Sequence, residues 1–189
     1  MLEITFFALA SLIGFLIYNG IELWKRNKSV SRVFVDFLFL LYILGLLRLT
    51  IFPIPFQTAA IQDSINKLET EQLFIYNFIP FSTIIQGISD AFIYNIYLLQ
   101  ITYLGGNLIL LSPFGLYLYF LKRDIQINSL WLIGLASSLF IETLQLLISF
   151  ILGFSYRQFD VDDLILNSVG FVFGYFAYSY IKRYKMIRR

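Results

Sequence analysis

Glu142 is the residue whose type and position point most directly to chemistry. It lies in a long uncharged run at residues 129–152, and the rise of an α-helix puts it about 12 Å from Phe150 near the end of that run. An ionised side chain at the centre of a bilayer costs about 3 kcal/mol or more, so it calls for a partner or a polar cavity. Gln145 shares its helix face. We expect both side chains to point into the protein and to bind one ligand.

A second polar group, from Arg157 to Asn167, lies at the start of the last apolar run. Acidic residues are favourable at a helix N-terminus, and Asp160 with Asp163 has the spacing of an N-cap and a reciprocal first-turn acid. Capping alone is therefore one explanation. It leaves Arg157 and Asn167 without a reason, and Asp163 and Asn167 share a helix face. We predict a binding site that includes Arg157, Asp160, Asp163 and Asn167.

Two more polar residues lie inside apolar runs. Arg48 lies about one turn before the end of the second run, where its guanidinium could hold a phosphate or carboxylate, or snorkel to the surface. A structural ion pair of Glu142 with Arg48 or Arg157 is a further alternative. Asn107 lies near the middle of the third run, ahead of Pro113, which should kink the helix. Asn107 is either a ligand contact or a hydrogen-bonding link between helices.

Two other features are predicted to be structural. Asp36 follows Arg32 by four residues and should pair with it at the membrane interface. Gly170 and Gly174 form a small-residue face suited to close helix packing.

The residue types that are missing exclude several kinds of chemistry. The chain has no cysteine and no histidine, so a thiol nucleophile, a serine–histidine triad and a histidine-ligated zinc site are excluded. Glu142 and Asp160 remain as candidate catalytic acids or bases. Oxygen ligands could hold Mg²⁺ or Ca²⁺, but the pattern of a calcium-binding loop is missing. We predict no metal and no cofactor.

Composition indicates that lipid is the solvent. Of 189 residues, 59% are hydrophobic and 14% charged, and the mean hydropathy is +0.76. A helix needs about 20 apolar residues to cross a bilayer. The runs that qualify are residues 4–21, 33–52, 96–121, 129–152 and 164–181. The sequence predicts an all-α membrane protein, a bundle of about five transmembrane helices that forms a single domain over residues 1–189.

Basic residues predict the orientation, because Lys and Arg concentrate in cytoplasmic loops. They cluster after the first, third and fifth runs, whereas the other loops hold only Lys67 and Arg157. We expect the N-terminus outside and the C-terminus in the cytoplasm.

The long outer segment begins with Pro53 and Pro55, which should end the second helix. Its middle, residues 61–74, has the alternation of an amphipathic helix that lies on the membrane surface or is a short soluble helix. The uncharged stretch 91–121 exceeds one span, so its first part should tilt or lie in the interface. A break at Gly105 and Gly106 is also expected.

These motifs resemble the VanZ-like family of bacterial membrane proteins over about residues 48–174. The matching segments are residues 77–81 (NFIPF), 106–107 with 113–115, 142–145 (ETLQ), and 157–163 (RQFDVDD) with Asn167, Gly170 and Gly174. Carried over residue by residue, the family's polar positions fall on Asn107, Glu142, Gln145, Arg157, Asp160, Asp163 and Asn167. The family is named for a member associated with low-level resistance to the glycopeptide teicoplanin. The resemblance therefore implies a multi-pass protein of the bacterial cytoplasmic membrane that acts in the cell envelope and in antibiotic resistance.

Three functions are compatible with this sequence. The first is an outward-facing polar pocket that binds an envelope lipid, a lipid-linked ligand or a glycopeptide and contributes to teicoplanin resistance. The second is an intramembrane enzyme acting on an envelope lipid, with Glu142 or Asp160 as general acid or base and Arg48 or Arg157 stabilising an anion.

The third function, a transporter or partner-binding subunit, is weakened by the odd number of spans and the lack of an internal repeat. Assembly into a homodimer would lessen that objection. Membrane lipids are expected partners. Nucleic acid is not, because the basic residues act as topology determinants.

Overall fold

The computed structural model describes residues 4–55, 57, 61–62, 65 and 76–187, with the side chains of the last helix described up to residue 181. The helices are α1 (Thr5–Trp24), α2 (Val30–Thr50), α3 (Ser82–Tyr94), α4 (Tyr97–Leu110), α5 (Ser112–Leu121), α6 (Ile127–Leu152) and α7 (Val161–Ile187), and two short strands are β1 (Tyr76–Asn77) and β2 (Phe159–Asp160). Apart from residues 61–62 and 65, the predicted amphipathic segment 61–74 lies outside the described residues.

Five stretches in the described part of the chain are helical, long and apolar enough to cross a membrane. They are α1, α2, the pair of α4 and α5, α6, and residues 161–181 of α7. The prediction of an all-α membrane protein with about five spans is confirmed. The helix α2 ends at Thr50, ahead of Pro53 and Pro55, as expected.

The third span differs from the prediction in where it breaks. The helix α4 continues through Gly105 and Gly106, so the expected break there is wrong. The break lies at Leu111, and Pro113 occupies the first turn of α5. Proline has no N–H to donate and its ring clashes with the preceding turn, which confirms the predicted kink at Pro113. The first part of the 91–121 stretch belongs to α3, which ends at Tyr94, and its C-cap residue Asn95 adopts a left-handed conformation with φ 56°.

The chain divides into two compact units, Met1–Asn66 and Lys67–Arg189. In the first unit, α1 and α2 are joined by a short turn, and the Ser29 hydroxyl caps α2 by accepting from the Arg32 N–H. The Asp36 carboxylate accepts from Lys28 Nζ and Arg32 Nε, each at 2.9 Å. The predicted pair of Asp36 and Arg32 is confirmed, with Lys28 as an additional partner.

In the second unit, α7 is the central helix and packs against α4, α5 and α6. A Cβ on Gly170 would collide with the Leu108 carbonyl oxygen, and one on Gly174 would collide with that of Ser112. The predicted small-residue face therefore packs directly against the backbone of the third span. This close approach brings polar side chains of α4 within reach of α7.

Candidate functional site

Asp160 is the N-cap of α7. Its Oδ1 accepts from the Asp162 N–H at 2.8 Å, which confirms the predicted cap. The reciprocal contact differs from the prediction, because the Asp160 N–H points to Glu142 Oε2 at 3.4 Å. Asp163 is turned to other partners. The start of α7 is thereby linked to the middle of α6.

The Asp160 carboxylate also holds the segment that contains β1. Asn77 Nδ2 donates to its Oδ1 at 2.9 Å, and the Thr83 hydroxyl donates to its Oδ2 at 2.6 Å. In addition, β1 and β2 pair in parallel, with Asn77 opposite Asp160. Asp160 is buried, and both of its carboxylate oxygens are engaged. Its contacts are those of a residue that fixes the fold.

Asp162 caps a second helix, α3, from a distance in sequence. Its Oδ1 accepts from the N–H of Phe81, the N-cap residue of α3, and its Oδ2 accepts from the Ile84 N–H at 3.0 Å. Phe81 adopts a left-handed conformation with φ 66°, which this contact supports. A carboxylate at a helix N-terminus also interacts favourably with the helix dipole. Asp162 is therefore a structural residue, and it is fully buried.

Asp163 joins α7 to α4. Its Oδ1 accepts from the Tyr103 hydroxyl at 3.0 Å and from Asn107 Nδ2. Asp163 and Asn107 are half-buried, and Tyr103 is partly exposed. Asn107 thus makes the link between helices that was one of its two predicted roles. Asp163 is thus less deeply buried than Asp160 and Asp162.

Glu142 belongs to a buried polar stripe on α6. Ser138, Glu142, Gln145 and Ser149 recur about once per helical turn, and each is buried. The prediction that Glu142 and Gln145 point into the protein is therefore confirmed. Glu142 is only 3% exposed, and the contact described for its carboxylate is the long one to the Asp160 N–H. Hydrogen bonds that long are weak, so this carboxylate is poorly satisfied.

Asn167 lies one turn deeper on α7 than Asp163. Its Nδ2 donates to the Ser138 hydroxyl at 3.0 Å, whereas its Oδ1 is buried and has no partner among the described residues. The polar column ends at Phe171, which is completely buried against Gly134 and lies edge-on to Phe114. Polar groups thus extend about 10 Å along α7, at the rise of a helix, before an apolar floor closes the column.

The two arginines of the predicted site are placed differently from the carboxylates. The Arg157 side chain is exposed and lies over the Tyr156 ring, with 5.6 Å to the centroid. Its backbone N–H contacts the Ser149 hydroxyl at 3.4 Å, which helps to fix the loop before β2. Arg48 is an exposed residue of α2 in the first unit, and its role in the site stays a prediction.

The polar side chains described above, which surround Glu142, Asp160, Asp162 and Asp163, are called the acidic cluster. Several of its members were not predicted as site residues from the sequence, namely Asn77, Thr83, Tyr103, Ser138, Ser149 and Asp162. Asn77 and Asp162 lie in the segments 77–81 and 157–163 that carry the family resemblance, which was the available signal. The hydroxyl residues have no such signal, because Ser and Thr in apolar helices commonly bond their own backbone, as Ser149 also does with the Gln145 carbonyl.

The cluster is acidic, and the partners described for its carboxylates are neutral amides, hydroxyls and backbone N–H groups. Within the described residues there is no group of three or more Asp and Glu side chains arranged to hold a metal ion. The arrangement is suited to accepting hydrogen bonds from a donor ligand or to exchanging a proton.

Comparison with known protein families gives a match to the family described as VanZ/LLP1 over residues 39–183. The match covers more than half of the chain and includes every residue of the cluster. Neither the curated proteins nor the solved structures gave a match.

Proposed function

The chain belongs to the VanZ/LLP1 family, and on that premise we propose that it binds an envelope lipid, a lipid-linked ligand or a glycopeptide at the acidic cluster. By holding this ligand at the surface of the bacterial cytoplasmic membrane, it contributes to low-level teicoplanin resistance. The proposed orientation has the N-terminus outside and the C-terminus in the cytoplasm, so that the loops around β1 and β2 face the cell exterior.

The observation that carries this proposal is the state of Glu142. A carboxylate that is 3% exposed and has one long hydrogen bond is costly to keep in a folded protein. Asp160 and Asp162 have structural contacts that account for their burial, whereas Glu142 does not. Glu142 can therefore accept hydrogen bonds from a ligand, and the half-buried Asp163 is a second carboxylate in the same cluster.

Two apolar grooves in the same unit support a ligand with a hydrocarbon chain. One, of about 350 Å³, lies between α3 and α4 and is lined by residues such as Ile88, Phe92 and Ile101. The other, of about 420 Å³, lies between α6 and α7 and is lined by residues such as Trp131 and Leu135. In a membrane such grooves suit acyl or prenyl chains.

The binding test uses fluorescent teicoplanin and a fluorescent lipid-linked cell-wall precursor with the purified protein in lipid nanodiscs. We expect Glu142→Gln, which keeps the size of the side chain, to weaken binding of at least one of them by roughly tenfold or more. Asp124→Asn is the matched control, because Asp124 is an exposed loop carboxylate at φ 61°, a conformation that asparagine tolerates. Equal binding by the wild type and Glu142→Gln would contradict the proposal. The same variants, expressed in a susceptible host, should rank in the same order in teicoplanin susceptibility.

The orientation has its own test, because the chain contains no cysteine and single-cysteine variants can be labelled cleanly. Gln158 and Asp124 are both exposed residues of loops at opposite ends of α6. We expect a membrane-impermeant maleimide to label Gln158→Cys in intact cells and Asp124→Cys only after permeabilisation. The reverse pattern would invert the proposed topology.

The alternative function, an enzyme acting on an envelope lipid, would use the same carboxylates. Asp160 is poorly suited to be its acid or base, since both its oxygens are engaged by the fold. Glu142 would have to serve. Turnover of lipid-linked precursors by the purified protein, lost in Glu142→Gln and retained in Asp124→Asn, would favour catalysis over binding.

A further inference from the structure

Hydrogen-bond acceptors outnumber donors in the acidic cluster, and the excess lies on three side chains. Within the described residues, both donors to Asp163 reach its Oδ1, Glu142 has one long contact, and Asn167 Oδ1 has none. The donors that contact Asp160, Asp162 and Asp163 are already used in holding the fold. These acceptor atoms therefore lack hydrogen-bond donors among the described residues.

These three side chains lie close to one another. Asn167 reaches Ser138, which is one helical turn from Glu142 on the same face of α6. Asp163 is one turn from Asn167 on α7, and the N–H of Asp160, three residues before Asp163, contacts Glu142 Oε2 at 3.4 Å. Access is from the half-buried Asp163, between α4 and α7. The acceptors thus lie on adjacent turns of α6 and α7, from the half-buried Asp163 to the fully buried Asn167.

We propose that Glu142, Asp163 and Asn167 bind the protonated primary amine of the ligand. An alkylammonium group carries one positive charge and three N–H donors, which matches two carboxylates and an amide oxygen. This inference rests on the proposed function and deepens it, because it names the chemical group by which the ligand is recognised.

Other ligand groups fit less well. A phosphate or carboxylate would be repelled by Glu142, Asp160, Asp162 and Asp163. A quaternary ammonium has the charge but no N–H donor, and it is usually held by aromatic rings. A divalent cation needs several oxygen ligands converging on one point, and the described residues contain no such group.

The test is a series of amphiphiles that share one chain and differ in the head group. Dodecylamine, dodecyltrimethylammonium and dodecyl phosphate are each titrated into the purified full-length protein in nonionic detergent, and binding is followed by the midpoint of thermal unfolding. We expect dodecylamine to bind roughly tenfold more tightly than the other two. In Glu142→Gln and in Asp163→Asn this preference should fall by a similar factor, while Asp124→Asn keeps it. Equal binding of dodecylamine and dodecyltrimethylammonium, preference for the phosphate, or an unchanged preference in both variants would overturn the proposal.

A short soluble amine separates the two sources of the group. If butylamine raises the midpoint of thermal unfolding as much as dodecylamine does, the site recognises a free amine such as that of a soluble ligand. If only dodecylamine raises it, the site recognises the amine of a lipid head group. Both results support an amine site.

The outcome is also separable from that of the proposed function. Binding of labelled teicoplanin or lipid precursor that depends on Glu142, without any preference for primary amines, would overturn the amine inference alone. A primary-amine preference that depends on Glu142, without binding of either labelled ligand, would overturn the proposed ligand and leave the amine site standing.

Discussion

Two regions of this protein bury carboxylates in different ways. At the start of α2, Asp36 accepts from the two cations Lys28 and Arg32, so its negative charge is compensated inside the first unit. At the start of α7, the described partners of the carboxylates are neutral amides, hydroxyls and backbone N–H groups. The first region pairs its carboxylate with cations, whereas the contacts described in the second region are with neutral groups.

This difference separates an anchoring carboxylate from one that we propose to bind a ligand. A carboxylate that is neutralised by its own lysine and arginine has little to offer a ligand. Within the acidic cluster the same distinction recurs on a smaller scale, since Asp160 and Asp162 are fully engaged while Glu142 and Asp163 retain acceptor capacity. Burial of a charge therefore indicates function only after its partners have been counted.

The largest loss of stability should come from separating α4 and α7, the helices that carry the second region. In Gly170→Ala the new Cβ would collide with the Leu108 carbonyl oxygen and push α4 away from α7. We expect the free energy of unfolding to fall by about 3 kcal/mol, and the contact of Asn107 with Asp163 to be lost. Unfolding in mixed micelles measures the change. Gly105→Ala is the control, because nothing lies within 4 Å of its Cβ position, and it should be neutral. Similar losses in both variants would contradict this account of α7 packing.

A smaller effect is expected when a fully engaged carboxylate of the cluster is removed. Asp162→Ala leaves the N–H groups of Phe81 and Ile84 without their acceptor at the start of α3. We expect a loss of about 2 kcal/mol in the free energy of unfolding. Hydrogen exchange should rise at the first turn of α3 and stay unchanged in α1. A variant as stable as the wild type would show that Asp162 is not the cap of α3.

Removing the charge of Asp36 in the first region should lower the free energy of unfolding by less. Asp36→Asn keeps one acceptor oxygen where Lys28 and Arg32 now contact two, and it removes the charge that balances them. Because Lys28 and Arg32 are 22% and 32% exposed, solvent screens part of the interaction, and we expect a loss of about 1 kcal/mol. Chemical unfolding at low and high salt checks this, since the difference between the variant and the wild type should shrink as salt rises. A salt-independent difference would indicate a packing effect instead.

The apolar spans could be predicted from the sequence because a membrane helix has a characteristic length and composition that depend on no partner. The helix end before Pro53 and the kink at Pro113 could be predicted because the effect of proline is local. The N-cap role of Asp160 was readable for a similar reason, since capping is local. The two-glycine break was predicted wrongly. Glycine only permits a break, and α4 stays helical where nothing in its surroundings forces it to bend.

Contacts between distant segments were beyond the sequence. Asp162 looks like one more first-turn acid of α7, and nothing local indicates that it caps α3, about 80 residues earlier in the chain. Glu142 was found because an acid inside an apolar run has a cost that can be read without a structure. Its weak partner, the Asp160 N–H, and the partnerless oxygen of Asn167 depend on how α6 and α7 pack.

The smallest expected effect is a gain in stability instead of a loss, and it comes from a substitution of Glu142. In Glu142→Gln a poorly satisfied buried carboxyl group is replaced by a neutral amide, whose N–H groups can donate to acceptors such as Asn167 Oδ1. We expect the free energy of unfolding to rise by about 0.5 kcal/mol, as is common when a poorly satisfied buried group is replaced by one that suits the fold better. Unfolding of this variant beside Asp36→Asn, in the same detergent, compares one chemical change in two regions. If both substitutions destabilise the protein, Glu142 is satisfied within the fold, and the distinction between an anchoring and a binding carboxylate fails.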